Sequence, residues 1–205
     1  MNNNVDNLKE LVYILDKLSY KSNLSKSLKN SLHKFQKEDL INEIFDVRNF
    51  YENTEELKKP CFEYRIKSVH SALLKYNKYF PDTPLKKCFN DLLGIRIIVN
   101  QYDEILSQDL SGFKVVDMTQ GKRTDDGYRG LHLYYQKNNF YYPIEIQINT
   151  EKDRMFNDWL HVFVYKNYDK QIGYKLRKMF DRNQIKSEKE FEEMLENVLF
   201  NCKKI

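Results

Sequence analysis

The most informative part of the chain is Asp125–Asn149, DDGYRGLHLYYQKNNFYYPIEIQIN. It predicts two strands, Arg129–Gln136 and Tyr141–Ile148, joined by a tight turn at Lys137–Asn139. The second strand alternates strictly between apolar and polar side chains. One face of this ribbon is therefore apolar, and the other carries the carboxylate of Glu145 together with amide side chains.

A second carboxylate begins the segment Asp91–Asn100, DLLGIRIIVN. Its Leu/Ile/Val run predicts a buried central strand, which Arg96 interrupts. A buried arginine requires an anionic partner or a planar ligand on which it can stack. Alone, Asp91 would be a turn residue or a helix cap, and Glu145 would be solvated surface. Because both accompany a cluster of cations, we interpret the pair as a metal-binding site.

Composition limits the class of protein. The length of 205 residues fits one domain, with room for a helical appendage and a core. No apolar run reaches membrane-spanning length, and MNNNVDNLKE lacks the apolar segment of a secretory signal. The three cysteines, Cys61, Cys88 and Cys202, form no CxxC pair and no zinc-type spacing with histidine. We therefore expect reduced thiols and a cytoplasmic location.

The distribution of charge is more informative than its sum. A net charge of +4 is too small to argue for nucleic-acid binding. Acidic residues are concentrated in the terminal helical regions, whereas cations gather in the middle of the chain. This pattern predicts a positive cleft that suits polyphosphate. The cations are Arg65, Lys67, Lys75, Lys78, Lys86, Lys87, Lys122 and Arg123.

Two segments could contact phosphate. A helix predicted from Ser68 places Lys67, Ser71 and Lys75 four residues apart, on one edge of a helix N-terminus whose dipole and donors favour anions. The alternative is a solvated lysine face. The loop 118–127 carries Lys122 and Arg123 at its middle, as a mobile phosphate-covering loop would, although any surface loop could have this composition.

The other predicted elements are mostly helices with apolar stripes. Residues 5–52 are predicted to be helical in three pieces, the second carrying Leu24, Leu28, Leu32 and Phe35. The apolar stripe of the last helix packs on the domain or on another copy of the chain. The remaining predictions are strands at Cys61–Ile66 and Gly112–Asp117 and helices at 101–109, Thr150–Tyr168 and Ser187–Lys204.

Five motifs appear in order between Tyr64 and Lys166: RIKSVHSALLK, DLLGIR, GYRGLHL, PIEIQINT and WLHVFVYK. Together they resemble the synthetase domain of the RelA/SpoT family, and specifically the small alarmone synthetases. The resemblance implies an α+β, nucleotidyltransferase-like fold with a mixed five-stranded sheet flanked by helices and with N- and C-terminal helical extensions. It also implies a single synthetase domain over 1–205, with terminal helices at 1–60 and 169–205 and a catalytic core at 61–168.

The resemblance implies transfer of a pyrophosphoryl group from ATP to the 3′-hydroxyl of GTP or GDP, or GMP, giving (p)ppGpp and AMP. The cofactor would be Mg²⁺. Asp91 and Glu145 match the two acidic positions of the family. Asp91 would hold the metal on the ATP phosphates, and Glu145 would assist the metal or take the proton from the attacking hydroxyl.

The remaining site residues are also carried over from the motifs. An adenine sandwich is implied for Arg65 and Arg96, and an ATP phosphate cradle for Lys67, Ser71 and Lys75. The phosphate loop would contribute Lys122 and Arg123. The guanosine nucleotide would be bound by Tyr128, which stacks on guanine, and by His132 and Gln147.

Several positions differ from the family pattern. Asn149 stands where QIRT has a cation, Asp126 where an asparagine is common, Val116–Thr119 where KDYI is common, and Leu160 where an acidic residue often precedes the histidine. Two alternatives therefore stay open, a toxin-like member that pyrophosphorylates tRNA 3′ ends and a nucleotide-binding regulator that has lost catalysis. We expect ATP and GTP or GDP as partners, no membrane, and no nucleic acid other than tRNA in the first alternative. A homo-oligomer formed through the terminal helices is a further hypothesis.

Overall fold

The computed structural model describes residues 8–58, 60 and 62–202, without the side chains of residues 8, 9, 201 and 202. The predicted start of the first helix at residue 5, the strand start at Cys61 and the thiol of Cys202 lie outside this description. The helices are α1 (Leu8–Lys17), α2 (Lys37–Asn53), α3 (Val69–Tyr79), α4 (Leu85–Cys88), α5 (Asp103–Leu106), α6 (Glu151–Trp159), α7 (Lys170–Asp181) and α8 (Glu188–Cys202). The strands are β1 (Glu63–Ile66), β2 (Leu93–Val99), β3 (Phe113–Asp117), β4 (Leu131–Tyr135) and β5 (Ile144–Thr150).

The strands form one mixed sheet in the order β1-β2-β5-β4-β3. β1 runs antiparallel to β2, with Arg65 opposite Gly94 and Glu63 opposite Arg96. β5 lies at the centre of the sheet, between β2 and β4, so the strands that carry the two predicted catalytic motifs are neighbours. The predicted α+β fold, a mixed five-stranded sheet flanked by helices, is confirmed.

The segment Asp125–Asn149 contains β4 and most of β5. β5 begins at Ile144 rather than at the predicted Tyr141, because Pro143 has no N–H to donate to a neighbouring strand. The alternating isoleucines are buried as predicted. The polar face is covered as well, since Glu145 is only 9% exposed and Asn149 only 3%. The alternative considered for Glu145, a solvated surface carboxylate, is therefore wrong.

The predicted second helical piece is also wrong, because residues 19–36 form turns, two isolated bridges and a short 3-10 turn at Leu32–Lys34. Short polar side chains compete here for the backbone donors of a helix: the hydroxyl of Ser22 accepts from the amide of Leu24, and that of Ser27 from the amide of Lys29. Leu28 is nevertheless fully buried. The apolar pattern therefore predicted burial correctly and conformation incorrectly.

The described chain divides into two compact units. The first comprises Met1–Ile97, Ile105–Val115 and His132–Ile148. Its apolar core is formed by side chains from the helices and from the apolar face of the strands. These include Leu15, Leu32, Ile44, Tyr51, Leu85, Phe89, Leu93, Ile95, Tyr142, Ile144 and Ile146. The predicted domain boundaries, 1–60, 61–168 and 169–205, stay a prediction.

The second unit comprises Ile98–Glu104, Val116–Leu131 and Asn149–Ile205. The hydroxyl of Thr150 caps α6 as predicted, and α6 continues into a π-helical turn at Leu160–Val164. α7 lies within the region 169–205 for which terminal helices were predicted, but its own bounds were not predicted. The core of this unit joins α6, α7 and α8, so the stripe of α8 packs on its own chain. Its buried residues are Phe156, Trp159, Leu160, Val164, Ile172, Leu176, Phe180, Ile185, Phe191, Leu195 and Val198.

Within the described residues, no helix is both long enough and apolar enough to cross a membrane.

Candidate functional site

One face of the sheet in the first unit carries the predicted adenine-binding arginines. Arg65 lies opposite Gly94 across the β1–β2 pair, and Arg96 follows Gly94 by two residues. Because side chains alternate along a strand, Arg65, Gly94 and Arg96 lie on the same face. Arg65 is exposed and Arg96 is half-buried. Gly94 leaves the position opposite Arg65 on this face without a side chain.

Glu145 lies on this same face, because a Cβ placed on Gly94 would be 3.9 Å from Glu145 Oε2. Three side chains hold the carboxylate. The hydroxyl of Tyr134 donates to Oε1 at 2.9 Å, the amide of Gln147 donates to Oε2 at 3.0 Å, and His132 Nδ1 lies 3.2 Å from Oε1. The structure thus brings the predicted Glu145, His132 and Gln147 into one hydrogen-bonded group.

These contacts set the protonation state of Glu145. Burial would raise its pKa, but the hydrogen bond and charge of His132 and the hydroxyl of Tyr134 outweigh burial and lower the pKa below its ordinary value. The negative charge of Asp91 acts in the opposite direction. Asp91 and Glu145 therefore lie close enough to repel each other, and Glu145 is a carboxylate at neutral pH.

Asp91, just before β2, binds both predicted phosphate lysines. Lys67 Nζ donates to Oδ2 at 2.7 Å and Lys75 Nζ donates to Oδ1 at 3.0 Å. Burial raises the pKa of Asp91, but the two ammonium groups outweigh it, so the pKa is lowered. Lys67 is buried, and Lys75 also donates to Asn90 Oδ1 at 2.7 Å. Two cations against one anion leave this cluster positive, as a polyphosphate site requires.

The N-terminus of α3 begins where the sequence predicts. Ser68 caps the helix, with its hydroxyl accepting from the amide of Ser71 at 3.2 Å. Ser71 is exposed, and its hydroxyl accepts from that of Ser68 at 2.9 Å. Ser71 thus lies one turn from Lys75 on an accessible helix start.

The donor set fits magnesium that is shared with a ligand. Among residues 8–58, 60 and 62–202, no three His, Cys, Asp or Glu side chains are grouped so that they could hold a metal ion by themselves. Mg²⁺ usually takes one or two carboxylates and completes its shell with phosphate oxygens and water. Asp91 and Glu145 offer this number of carboxylates, and each oxygen that accepts one hydrogen bond keeps a further lone pair.

The remaining predicted residues belong to the second unit. Lys122 donates to both carboxylate oxygens of Asp126, at 3.0 and 2.7 Å, and its ammonium group lies 4.9 Å from the centre of the Tyr128 ring. Tyr128 and Asp126 are buried, at 8% and 6% exposure. Arg123 is exposed. Lys122 and Tyr128 thus contact each other, and Asp126 supplies the negative charge that holds Lys122 over the ring.

Asn149 has a structural partner that explains the difference from the family pattern. Its side-chain amide donates to the carbonyl of Arg129 at 2.9 Å, and that of Asn157 donates to the same carbonyl at 2.7 Å. The amide of Arg129 in turn donates to the side-chain oxygen of Asn157 at 3.2 Å. The guanidinium group of Arg129 is paired with Asp125. A neutral amide at position 149 therefore holds the backbone next to Tyr128.

Tyr134, Gly94 and Asn157 are among the residues of these clusters that were not predicted as site residues. Tyr134 follows His132 by two residues on β4, so the alternation that selected His132 would also have selected Tyr134. The space at Gly94 has a weaker signal, a glycine inside an apolar strand. Asn157 has no signal in the sequence, since its partner is a backbone carbonyl 28 residues away.

Residues 64–170, just over half of the chain, match the family model described as the region found in RelA/SpoT proteins. A search of curated proteins gave no match. Among solved structures, small alarmone synthetase 1 from Bacillus subtilis is 22% identical, with 82% of this chain and 92% of that chain covered and a TM-score of 0.42. The same synthetase bound to its product pppGpp is 18% identical, with 96% and 98% covered and a TM-score of 0.43. A GTP pyrophosphokinase family protein from Streptococcus pneumoniae is 18% identical, with 80% and 90% covered and a TM-score of 0.39. From the match over residues 64–170 we conclude that this chain belongs to the RelA/SpoT family.

Proposed function

We propose that this chain is a (p)ppGpp synthetase, which transfers a pyrophosphoryl group from ATP to the 3′-hydroxyl of GTP or GDP. In the reaction the 3′-oxygen forms a bond to the β-phosphorus of ATP. The bond between that phosphorus and the oxygen bridging it to the α-phosphate breaks, AMP leaves, and the hydroxyl loses its proton. Membership of the RelA/SpoT family supports this class of reaction.

The observation that carries the proposal is the face shared by Arg65, Arg96 and Glu145, with Asp91 close enough to repel Glu145. A solvated surface would not bury Glu145 or hold it with three side chains. Arg65 and Arg96 lie on adjacent strands, and Gly94, which is in register with Arg65, adds no side chain to the face where we place the flat base.

The ATP side is assigned to the first unit. Arg65 and Arg96 bind adenine by stacking, and Lys67, Ser71 and Lys75 bind the phosphates. Asp91 and Glu145 would hold Mg²⁺, which when bound supplies charge neutralisation on the polyphosphate. Because Lys67 and Lys75 already contact Asp91, the phosphates enter a site where cations and a carboxylate are positioned in advance.

Glu145 has a second role at the acceptor hydroxyl. Its lowered pKa keeps it ionised, so it accepts a hydrogen bond from the 3′-hydroxyl and orients it for attack. A carboxylate with a low pKa is a weak base, so the proposed role of Glu145 is first to orient the hydroxyl; Mg²⁺, if held by Asp91 and Glu145, would lower the pKa of the hydroxyl. His132 and Gln147 fix the position of Glu145 and contribute contacts to the acceptor nucleotide.

In the second unit, Tyr128 stacks on the guanine base. The base takes the place of Lys122 over the ring, so binding requires the side chain of Lys122 to move. Released from the ring, Lys122 and the exposed Arg123 bind phosphate oxygens.

The test is incubation of the purified chain with Mg²⁺, labelled ATP and GTP, GDP or GMP, with separation of AMP and 3′-pyrophosphorylated nucleotide. Asp91→Asn and Glu145→Gln are expected to lower turnover by at least about 10³-fold, while Glu192→Gln, at an exposed position of α8, leaves it unchanged. A wild-type chain that forms no AMP with any of these acceptors contradicts the proposal. Label transferred only to tRNA would establish the toxin-like alternative.

A further inference from the structure

α7 begins where the match to the family model ends, and it contacts the loop that precedes β4 at a pair of glycines. A Cβ placed on Gly173 would lie 2.2 Å from the carbonyl oxygen of Asp126. A Cβ placed on Gly127 would lie 2.4 Å from the carbonyl oxygen of Gly173. Real Cβ atoms do not approach backbone oxygens this closely, so the contact requires glycine on both sides.

The segment at this contact is held on its other sides. Gly127 has a φ of +88°, which only glycine adopts at low cost. The carboxylate of Asp126 accepts a hydrogen bond from Lys122. Three residues later, the carbonyl of Arg129 accepts hydrogen bonds from the side chains of Asn149 and Asn157. Tyr128 lies between these two fixed points, so a shift of the backbone at Asp126 or Gly127 moves its ring.

The helix itself is anchored and cannot easily retreat. The guanidinium group of Arg177 donates to Asp153 at 2.6 Å and to Asp181 at 2.9 Å, and it lies 5.4 Å from the centre of the Phe156 ring. Leu176 and Phe180 are buried in the core that contains Trp159. A side chain added at Gly173 is therefore expected to displace the loop rather than the helix.

We infer that α7 is a positioning element for the acceptor nucleotide, with Gly173 as the residue that sets the place of Asp126, Gly127 and Tyr128. The assignment of Tyr128 to the acceptor rests on the proposed function. The positioning of its loop by α7 rests on the glycine contact. Gly173 acts through Tyr128 and touches no substrate itself.

The test combines steady-state kinetics with hydrogen–deuterium exchange on Gly173→Ala. We expect the KM for GTP or GDP to rise about tenfold or more, with the KM for ATP unchanged, because a displacement of about an ångström misplaces only the acceptor. We also expect faster amide exchange at residues 126–130 and an unchanged emission maximum of Trp159. The control, Gln171→Ala, changes an exposed position of the same helix and leaves all four quantities as in the wild type.

Alanine is a much better helix former than glycine, so Gly173→Ala is expected to stabilise the chain if the contact with the loop has no importance. A Gly173→Ala chain that is more stable than the wild type and keeps its acceptor KM and its loop exchange overturns the inference. If Gly173→Ala does not fold, Arg177→Lys replaces it, since lysine keeps the charge and loses the forked contact with Asp153 and Asp181. Faster exchange in α7 without faster exchange at 126–130 would then overturn it.

Failure of the proposed function and failure of the inference about α7 give different results. A wild-type chain that turns over no nucleotide removes the proposed function, and the exchange experiment still decides whether α7 positions the loop. A wild-type chain that is active and insensitive to both α7 variants removes only the inference.

Discussion

Asp91 is the residue at which stability and the proposed chemistry meet. Asp91→Asn is expected to lower the free energy of unfolding at pH 7 by about 3 kcal/mol, because Lys67 and Lys75 lose the carboxylate that both contact. The folded-state pKa of Asp91 is lowered from an ordinary 3.8, so its stabilising contribution is present above that value and is lost as the pH falls through the lowered pKa. Chemical denaturation at a series of pH values measures the difference.

The difference between wild type and Asp91→Asn should thus be complete above pH about 5 and shrink in more acidic buffer, since a protonated aspartate resembles asparagine. Asp117→Asn, at an exposed position, provides the control. A difference that stays constant down to acidic pH would show that Asp91 is not ionised against the two lysines.

Gly94 offers a prediction in which stability and binding change in opposite directions. A Cβ at Gly94 meets only ordinary contacts, 3.9 Å from the carbonyl oxygen of Arg65 and from Glu145 Oε2. Gly94→Val is therefore expected to fold and to be at least as stable as the wild type, because valine favours a strand interior. Its methyl groups occupy the space between Arg65 and Arg96, so the KM for ATP should rise about tenfold or more. Thermal unfolding and steady-state kinetics measure the two effects.

Gly112→Val is the matched control, since nothing lies within 4 Å of a Cβ at that glycine. It should change neither the KM for ATP nor the melting temperature by much. Unaltered ATP binding in Gly94→Val would contradict the location of the adenine site.

The sequence identified residues by their chemical type and their place in a motif, and it was most reliable where alternation along a strand decides the face. His132, Glu145 and Gln147 were found in this way, and they lie together. It could not show that Asp91 contacts Lys67 and Lys75, which are 24 and 16 residues distant and reach it from a different element. The closeness of Gly173 to Asp126 likewise arises from packing alone.

Among the elements, β5 shows how a change in the family pattern is accommodated. Asn149 is 3% exposed, and a Cβ on Gly130 would lie 2.6 Å from its side-chain nitrogen, so the space around it is full. Asn149→Arg, which restores the common family residue, is expected to lower the free energy of unfolding by about 3 kcal/mol, because the longer side chain lacks room and the hydrogen bond of Asn149 to the carbonyl of Arg129 is lost. Thermal unfolding with Asn197→Arg, at an exposed position of α8, as the control measures it.

A stable Asn149→Arg chain with higher turnover would show instead that the missing cation limits activity. That outcome would support the alternative of a weakened, regulatory member of the family.

Elements were predicted well where one periodicity dominates, and poorly where short polar residues or glycine interrupt it. α6 begins at the predicted cap, Thr150, and α3 begins next to the predicted helix start, Ser68, because each hydroxyl accepts a hydrogen bond from a backbone amide of the first turn. Residues 19–36 share an apolar spacing with helices, but the hydroxyls of Ser22 and Ser27 accept hydrogen bonds from backbone amides there. α7 falls within the predicted terminal helices at 169–205, but its bounds were not predicted. Ile172, Leu176 and Phe180 repeat along one face, whereas Gly173 and many cations interrupt the stripe.

For the whole molecule, the sequence predicted a mixed five-stranded sheet flanked by helices through its resemblance to a family, and this fold is confirmed. The apolar stripe of the last helix could not show from sequence alone whether this helix packs on its own chain or on a second copy. The structure shows that Phe191, Leu195 and Val198 of α8 are buried within the second unit. Homo-oligomerisation through the terminal helices stays a prediction, and the exposed apolar residues of α8 are the ones available to a partner.

Variants of two phenylalanines on α8 test folding and assembly independently. Phe191 is fully buried, with its ring centre 5.5 Å from that of Trp159, the single tryptophan, whereas Phe200 is 61% exposed. Phe191→Ala is expected to lower the free energy of unfolding by about 3–5 kcal/mol and to shift the emission of Trp159 to longer wavelength, because a cavity opens beside the indole. Phe200→Ala should change stability by less than about 0.5 kcal/mol. If α8 joins two copies, Phe200→Ala reduces the mass measured by light scattering while Trp159 emission is unchanged. A wild-type mass equal to one chain at micromolar concentration would remove the oligomer, and the contrast in stability between the two variants would still hold.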